Sequence, residues 1–289
     1  MRIAVLSDIH GNLPALQAVL SDMEPFAPEG IIVAGDTACG PQVNECVRLL
    51  RQHPCWAILG NNEEYMLRFD AGAAPSAFKT HRQFGLLRWA YRQLHPQSLE
   101  YFRALPAAHS LHLPATDAIR IVHGTPRCTS ESIFPISEPA SLEQALAQID
   151  EPVLVCGHTH LPWWRQCNGK LALNPGAVGG SLDGDVRARY MLLDWEQERW
   201  QVTVRAVPYN LDEIRSAFHH SGLLAASEGF GLAFLRSIES GRNCGRAFLN
   251  HAYQLAGIPG DQPLPDDIWE QASQTFDFDQ EILDEDYCL

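Results

Sequence analysis

Five short apolar runs in this chain each end on a residue type that binds metal. The ends are Asp8-Ile9-His10, Gly35-Asp36, Gly60-Asn61-Asn62-Glu63, His123-Gly124 and Gly157-His158-Thr159-His160. The runs themselves, Ile3 to Leu6, Ile31 to Ala34, Trp56 to Leu59, Ile119 to Val122 and Val153 to Cys156, are apolar but for Arg120 and too short for helices. With Leu171 to Leu173 they read as strands buried on both faces. Strands of this kind need cover on both sides, which restricts the chain to an α/β arrangement.

The intervening segments supply that cover. Asn12 is placed to cap a helix with Pro14 in its first turn, and Leu16, Val19, Leu20 and Met23 fall on one face. Pro25 and Pro28 end it. A second helix spans about 43–51, so the chain opens β-α-β-α-β, a parallel sheet with right-handed crossovers. Past residue 176 the pattern changes. Residues 189–195 and 200–207 form two strand-like runs about the polar turn 196–199, a hairpin that makes the sheet mixed. Residues 64–110 are helical in pattern, with Phe84, Leu87, Tyr91 and Leu94 at helical spacing, and read as an insertion lying over the strand ends. From Leu211 the chain is helical again, breaking near Gly241 and through 258–265. The last two dozen residues read as partly disordered. The domains expected are a core at 1–208, containing the insertion at 64–110, and a helical extension with an acidic tail at 209–289.

Composition excludes several classes of function. The formal net charge is −14, with no Lys or Arg after Arg246, and ten acidic residues in the segment beyond it. A surface for duplex nucleic acid would need a basic stripe instead. No run approaches a membrane span, and the apolar start is too short for a signal peptide, so a cytoplasmic protein is expected. The eight cysteines include no CxxC pair, and several sit within apolar runs, as Cys156 does. They read as reduced, mostly buried thiols.

In an open α/β sheet, ligands gather beyond the carboxyl ends of the strands, where Asp8, Asp36, Asn61, His123 and His158 all fall. Residues two apart on a strand share a face, so Asp8 and His10 can address one metal, as can His158 and His160. The adjoining glycines, among them Gly11, Gly35, Gly60 and Gly157, allow sharp turns there. Glu63 either supports a ligand from behind or opens a helix with its acidic group. The Trp89 and Tyr91 stripe reads as core. For Trp163-Trp164, flanking a substrate and packing at a surface both fit.

The ordered motifs Asp8-x-His10, Gly35-Asp36, Gly60-Asn61, His123-Gly124 and Gly157-His158-Thr159-His160, followed by Asn174-Pro175-Gly176, resemble the calcineurin-like metallophosphoesterase superfamily. The similarity covers residues 1 to about 208 and is nearest to the compact phosphodiesterase-type branch from bacteria and archaea. It implies a four-layer αββα sandwich with two divalent metal ions at the strand ends. Manganese is the first choice, and iron, zinc and nickel suit the same donors. By the resemblance, Asp8, His10, Asp36 and His160 hold one metal. Asp36, Asn61, His123 and His158 hold the other, with Asp36 bridging. Catalytic roles fall to Asp36, His123 and Asn62, and substrate contacts to Asn61, Arg127 and Asn12, whose helix start would present N–H groups to phosphate. The implied reaction is attack of a metal-bridging hydroxide on a phosphodiester or nucleotide-type phosphoanhydride.

The chain departs from the family in one place. Many members carry His where Asn62 stands, and that His protonates or steers the leaving group. Asn62 donates a hydrogen bond but delivers no proton, which favours diesters, aryl esters and anhydrides over alkyl monoesters. His81 in the insertion is a candidate substitute. The expected partner is a small phosphorylated substrate or nucleotide, and no protein partner is identifiable. Two alternatives stand beside this reading: a serine/threonine-type protein phosphatase or phosphomonoesterase, and a non-catalytic scaffold of the same fold. Loss of the motif His fits the scaffold, whereas the complete ligand set argues against it.

Overall fold

The computed structural model describes residues 1–260 and 262–279. Among the described residues, ten strands form two mixed sheets packed face to face. The first sheet contains β1 (Arg2–Leu6), β2 (Gly30–Val33), β3 (Cys55–Ala57) and the hairpin β9 (Ala188–Glu196) and β10 (Arg199–Val207). Its order is β10-β9-β1-β2-β3. The second contains β4 (His109–Leu111), β5 (Ile119–Ile121), β6 (Val153–Val155), β7 (Pro162–Cys167) and β8 (Lys170–Pro175), in the order β4-β5-β6-β8-β7. Strands β1, β2 and β3 run parallel, as do β5, β6 and β8, while the hairpin and the edge strands β4 and β7 pair antiparallel.

Alternation along β1 shows how the layers form. Ile3 and Val5 face the second sheet, meeting Ile119, Ile121, Val153 and Leu173 in the central core. Ala4 and Leu6 face outward, onto Leu16, Val19 and Leu20 of α1 (Leu13–Met23) and Cys46 and Leu50 of α2 (Val43–Leu50). Across the molecule, Leu142, Ala145 and Leu146 of α7 (Pro139–Leu146) cover Leu154 and Ala172. Helix, sheet, sheet, helix is the four-layer order expected. Within it the thiols of Cys39, Cys46 and Cys156 are buried, and every cysteine among the described residues is free.

The insertion comprises α3 (Asn61–Asp70), α4 (Ser76–Thr80), α5 (Gly85–Gln93) and α6 (Pro96–Ala104). It differs from expectation in two respects. Its last residues belong to β4, a strand too short for an alternating pattern to register. In α5 the fully buried face is Gly85, Leu86, Trp89 and Ala90, whereas Phe84, Leu87, Tyr91 and Leu94 are half-buried. α5 packs against both α3 and α9 (Leu223–Ser240), so its apolar face is wide, and periodicity located the flank rather than the centre.

The C-terminal helices are α8 (Leu211–His220), α9, α10 (Cys244–Ala256) and α11 (Asp266–Thr275). Of the last two dozen residues, expected to be partly disordered, the first ten form α11. Trp269 and Ala272 bury against Phe248 and Ala252, giving the acidic stretch an apolar anchor. The remainder of that expectation, at 280–289, lies outside the described residues. Trp163 is buried and Trp164 exposed on edge strand β7, as an alternating strand requires. Among the described residues no helix is long and apolar enough to cross a membrane.

Candidate metal centre

Both sheets deliver the carboxyl ends of their parallel strands to one point. Asp8 follows β1, Asp36 follows β2, Asn61 follows β3, His123 follows β5, and His158 with His160 follows β6. These side chains form two adjacent groups, Asp8, His10 and His160, and Asp36, His123 and His158. Within each group the potential ligand atoms lie within 4.8 Å of one another. Asn61 Oδ1 stands 3.2 Å from His123 Nε2, beside the second group. Asp36 Oδ2 faces both groups, 3.3 Å from His123 Nε2 and 3.8 Å from His10 Nε2.

The backbone beneath these residues is not the extended strand that a two-residue spacing suggests. Asp8 (φ 53°), His10 (φ 46°), Asp36 (φ 54°), His158 (φ 69°) and His160 (φ 60°) are all left-handed. The two-residue spacing brings Asp8 and His10 into one group through a tight turn rather than a shared strand face, whereas His158 and His160, expected to address one metal, are divided between the two groups. Gly60 allows one close approach: a Cβ there would stand 2.1 Å from Asp36 Oδ1.

Three imidazoles are oriented from behind. His10 Nδ1 lies 3.1 Å from Ala38 O, His123 Nδ1 2.7 Å from Ala34 O, and His160 Nδ1 2.7 Å from Gly180 O. A carbonyl only accepts, so each Nδ1 carries a proton and each Nε2 faces inward. Glu63, buried at the start of α3, accepts from the amides of Asp36 (2.9 Å), Ala38 (2.6 Å) and Gly60 (2.8 Å). It therefore fills both roles considered for it. Asn174 was noted in the sequence only as part of a motif. Its Nδ2 donates to Gly157 O at 2.6 Å and Thr159 Oγ1 at 3.1 Å, fixing the loop that carries His158 and His160.

The electrostatics are those of a site built around cations. Burial alone would raise Asp36, but pairing with His123 and His10 and the Asn62 amide hold it well below the carboxylate range. Burial opposes protonation of His123 as well, yet the Asp36 and Asp8 carboxylates push it up to about 10. Burial, reinforced by the Asp36 charge, pushes Glu63 up to about 7. Asp8 Oδ1 is buried with no hydrogen-bond partner, and around it stand His160 Nε2 at 3.4 Å, His10 Nε2 at 3.8 Å and His123 Nε2 at 3.9 Å. An orphaned carboxylate oxygen faced by inward imidazole nitrogens is the surrounding a divalent metal satisfies.

A cavity of about 330 Å³ opens on this centre. His10, Asp36, Asn61, Asn62, His158 and His160 line one side. Asn62 lines the cavity, and its side chain is engaged with Asp36: Nδ2 donates to Oδ2 at 2.6 Å and the backbone amide to Oδ1 at 2.9 Å.

Three other expectations are corrected. The Asn12 side chain is fully buried, capping α1 through Ala15 N and donating to Gly179 O. The amides of Gly11, Asn12, Ala15 and Leu16 are all bonded within the protein, and Pro14 has none, so the helix start presents no row of donors to a phosphate. Arg127 pairs with Glu131 outside the cavity lining. His81 turns its Nδ1 to Leu264 O, away from the centre. The cover also differs from expectation. The insertion beyond α3 contributes only Leu86 to the cavity, whereas the far wall comes from α9 and α10, including Phe230, Phe234, Ile238 and Leu249. No motif marks those residues, which lie far along the chain from the centre they face.

Two mixed sheets with two candidate metal-binding groups at their strand ends place the chain in a known class of protein. A family model, the calcineurin-like phosphoesterase superfamily domain, matches residues 1–198. The chain belongs to that superfamily. It is 27% identical over 225 residues to the uncharacterized protein MJ0912 of Methanocaldococcus jannaschii, covering 72% of this chain and 88% of that one. Among solved structures it is similar to a metallophosphoesterase from Sphaerobacter thermophilus (TM-score 0.67, 26% identity), over 83% of this chain and 99% of that one. It shares its fold with the hypothetical protein PH1004 from Pyrococcus horikoshii OT3 (TM-score 0.65, 21% identity), over 77% and 94% of the two chains.

Proposed function

We propose that this protein is a metal-dependent hydrolase of phosphodiesters or nucleotide-type phosphoanhydrides that works with two divalent ions, manganese before iron, zinc or nickel. The observation that carries the proposal is the pair of adjacent ligand groups with Asp36 Oδ2 facing both. Asp8, His10, His160 and Asp36 would hold one ion, and Asp36, Asn61, His123 and His158 the other. Such a pair supplies Lewis acidity to the phosphoryl oxygens and lowers the pKa of the attacking water. The chain's own contribution is orientation. The carbonyls behind His10, His123 and His160 fix their tautomers, and Glu63 and Asn174 hold the loops beneath Asp36, His158 and His160. Asn62 reaches the same cavity as a hydrogen-bond donor with no proton to release. The favoured substrates therefore have leaving groups that depart without protonation.

The test is hydrolysis of bis-p-nitrophenyl phosphate and p-nitrophenyl phosphate by metal-stripped protein, with Mn, Fe, Zn, Ni or Mg restored singly. The expected result is turnover that depends on metal and is faster on the diester. Asp36→Asn is expected to abolish it with the circular dichroism spectrum unchanged, and retained turnover in that variant would sink the assignment.

A further inference from the structure

The far wall of the cavity is apolar and does not take part in holding metal. Phe230, Phe234 and Ile238 recur every four residues along α9, which places them on one helix face, and all three line the cavity with Leu86 and Leu249. The rings are held from behind. Phe234 stands edge-on to His10 at 5.8 Å between centroids, with Phe218 at 5.3 Å on its other side. Phe230 rests against Trp269 at 6.4 Å and Phe248 at 6.5 Å. Asn243 and the exposed Arg246 add polar groups to the same lining. A cavity of about 330 Å³ is the size of a small-molecule pocket.

Gly245 is informative here. It is the second residue of α10 and lines the cavity. A Cβ at this position would meet only the Phe230 ring, at 3.6 and 4.0 Å, and Asn243 Oδ1, at 3.9 Å. Those are ordinary contact distances, so neither packing nor backbone conformation requires glycine in a helix that alanine would favour. What the missing side chain does is keep the space beside Phe230 open.

We infer that this wall seats a planar aromatic ring carried by the phosphoester, with the phosphate at the ligand residues, and that Phe230, Leu249 and Gly245 set this specificity. The inference rests on the phosphoesterase reading for its orientation of the substrate. Rings are favoured because the flat Phe230 and Phe234 side chains are preorganised to meet another flat ring.

The test is calorimetric titration of the manganese-loaded protein with phenylphosphonate and with methylphosphonate, neither of which is hydrolysed. Wild type is expected to bind the phenyl compound about tenfold more tightly, the effect of burying one ring. Gly245→Leu, which fills the space beside Phe230, and Phe230→Ala, which removes the ring, are each expected to abolish the preference. Gly245→Leu removes no existing side chain and introduces a better helix former, so the test survives if Phe230→Ala does not fold. Equal affinities in wild type, or a preference intact in Gly245→Leu, would overturn the inference. Ring preference without hydrolysis of either p-nitrophenyl substrate would support the ring site while removing the phosphoesterase reading. Hydrolysis without ring preference would do the reverse.

Discussion

At the scale of single residues, the centre is made from backbone that L-amino acids avoid. Five residues of the candidate centre in left-handed conformation cost about 1–2 kcal/mol each. Cross-links hold the turns in place: Asp8 N to Gly35 O at 3.1 Å, His10 N to Asp36 O at 3.0 Å, and His158 N to Asp8 Oδ2 at 3.0 Å. Strain of this kind gathers where side-chain direction matters more than stability. Asn62 is the residue whose chemistry can be changed without disturbing that frame, because its backbone amide already supplies one of its two bonds to Asp36. Asn62→His is expected to raise turnover of diesters with alkyl leaving groups by about 10²-fold and leave p-nitrophenyl diesters little changed, since only a poor leaving group needs a proton. A leaving-group series in the two proteins checks this. An equal change across the series would show that residue 62 acts on the metal ligands instead.

At the scale of elements, α1 must hold its place because Ile9 and the turn carrying Asp8 and His10 run directly into it. Its far end is tied to the hairpin by Asp22. This carboxylate accepts from Tyr190 Oη at 2.8 Å and from Arg205 Nη2 at 2.8 Å and Nε at 3.1 Å. Partial burial alone would raise Asp22, but Arg205 and Tyr190 hold it below the ordinary 3.8. The folded protein therefore keeps Asp22 ionised at pH values where the unfolded chain binds a proton. Its stabilisation is complete above 3.8 and is lost as pH falls through the lower folded value. Asp22→Asn is expected to cost about 1 kcal/mol at pH 7, allowing for screening at a partly exposed pair. Thermal unfolding of both proteins from pH 7 downward is expected to show that gap constant to about pH 4 and closing below it. A gap that does not vary with pH would place the effect in packing rather than charge.

At the scale of the whole molecule, the C-terminal helices are structural as well as a wall of the cavity. Ile214, Phe218, Leu223, Leu235 and Ile238 share one buried cluster with Val43, Val47, Met66, Trp89 and Phe102, joining the extension to α2 and the insertion. A chain ending at residue 208 would expose that surface, and is expected to aggregate or melt well below the full protein. Gel filtration with thermal denaturation checks this, and a monomer of unchanged Tm would show the extension to be dispensable. The sequence by itself determined the buried strands, the hairpin, the helix cap at Asn12 and the residues that gather at the candidate centre. Each of these is a local signal: an apolar run, a period, or a polar residue where a strand stops. Only the tertiary structure decided that the ligand turns are left-handed, that Asn12 and Arg127 are engaged elsewhere, and that α9 and α10 close the cavity. Those outcomes depend on contacts between segments far apart in the chain. Whether Arg127 reaches a substrate depends on Glu131 beside it, and whether Phe230 lines a cavity depends on how two helices dock against two sheets. A residue's type and its near neighbours carry its chemistry, but what it faces is set by packing, which no local pattern encodes.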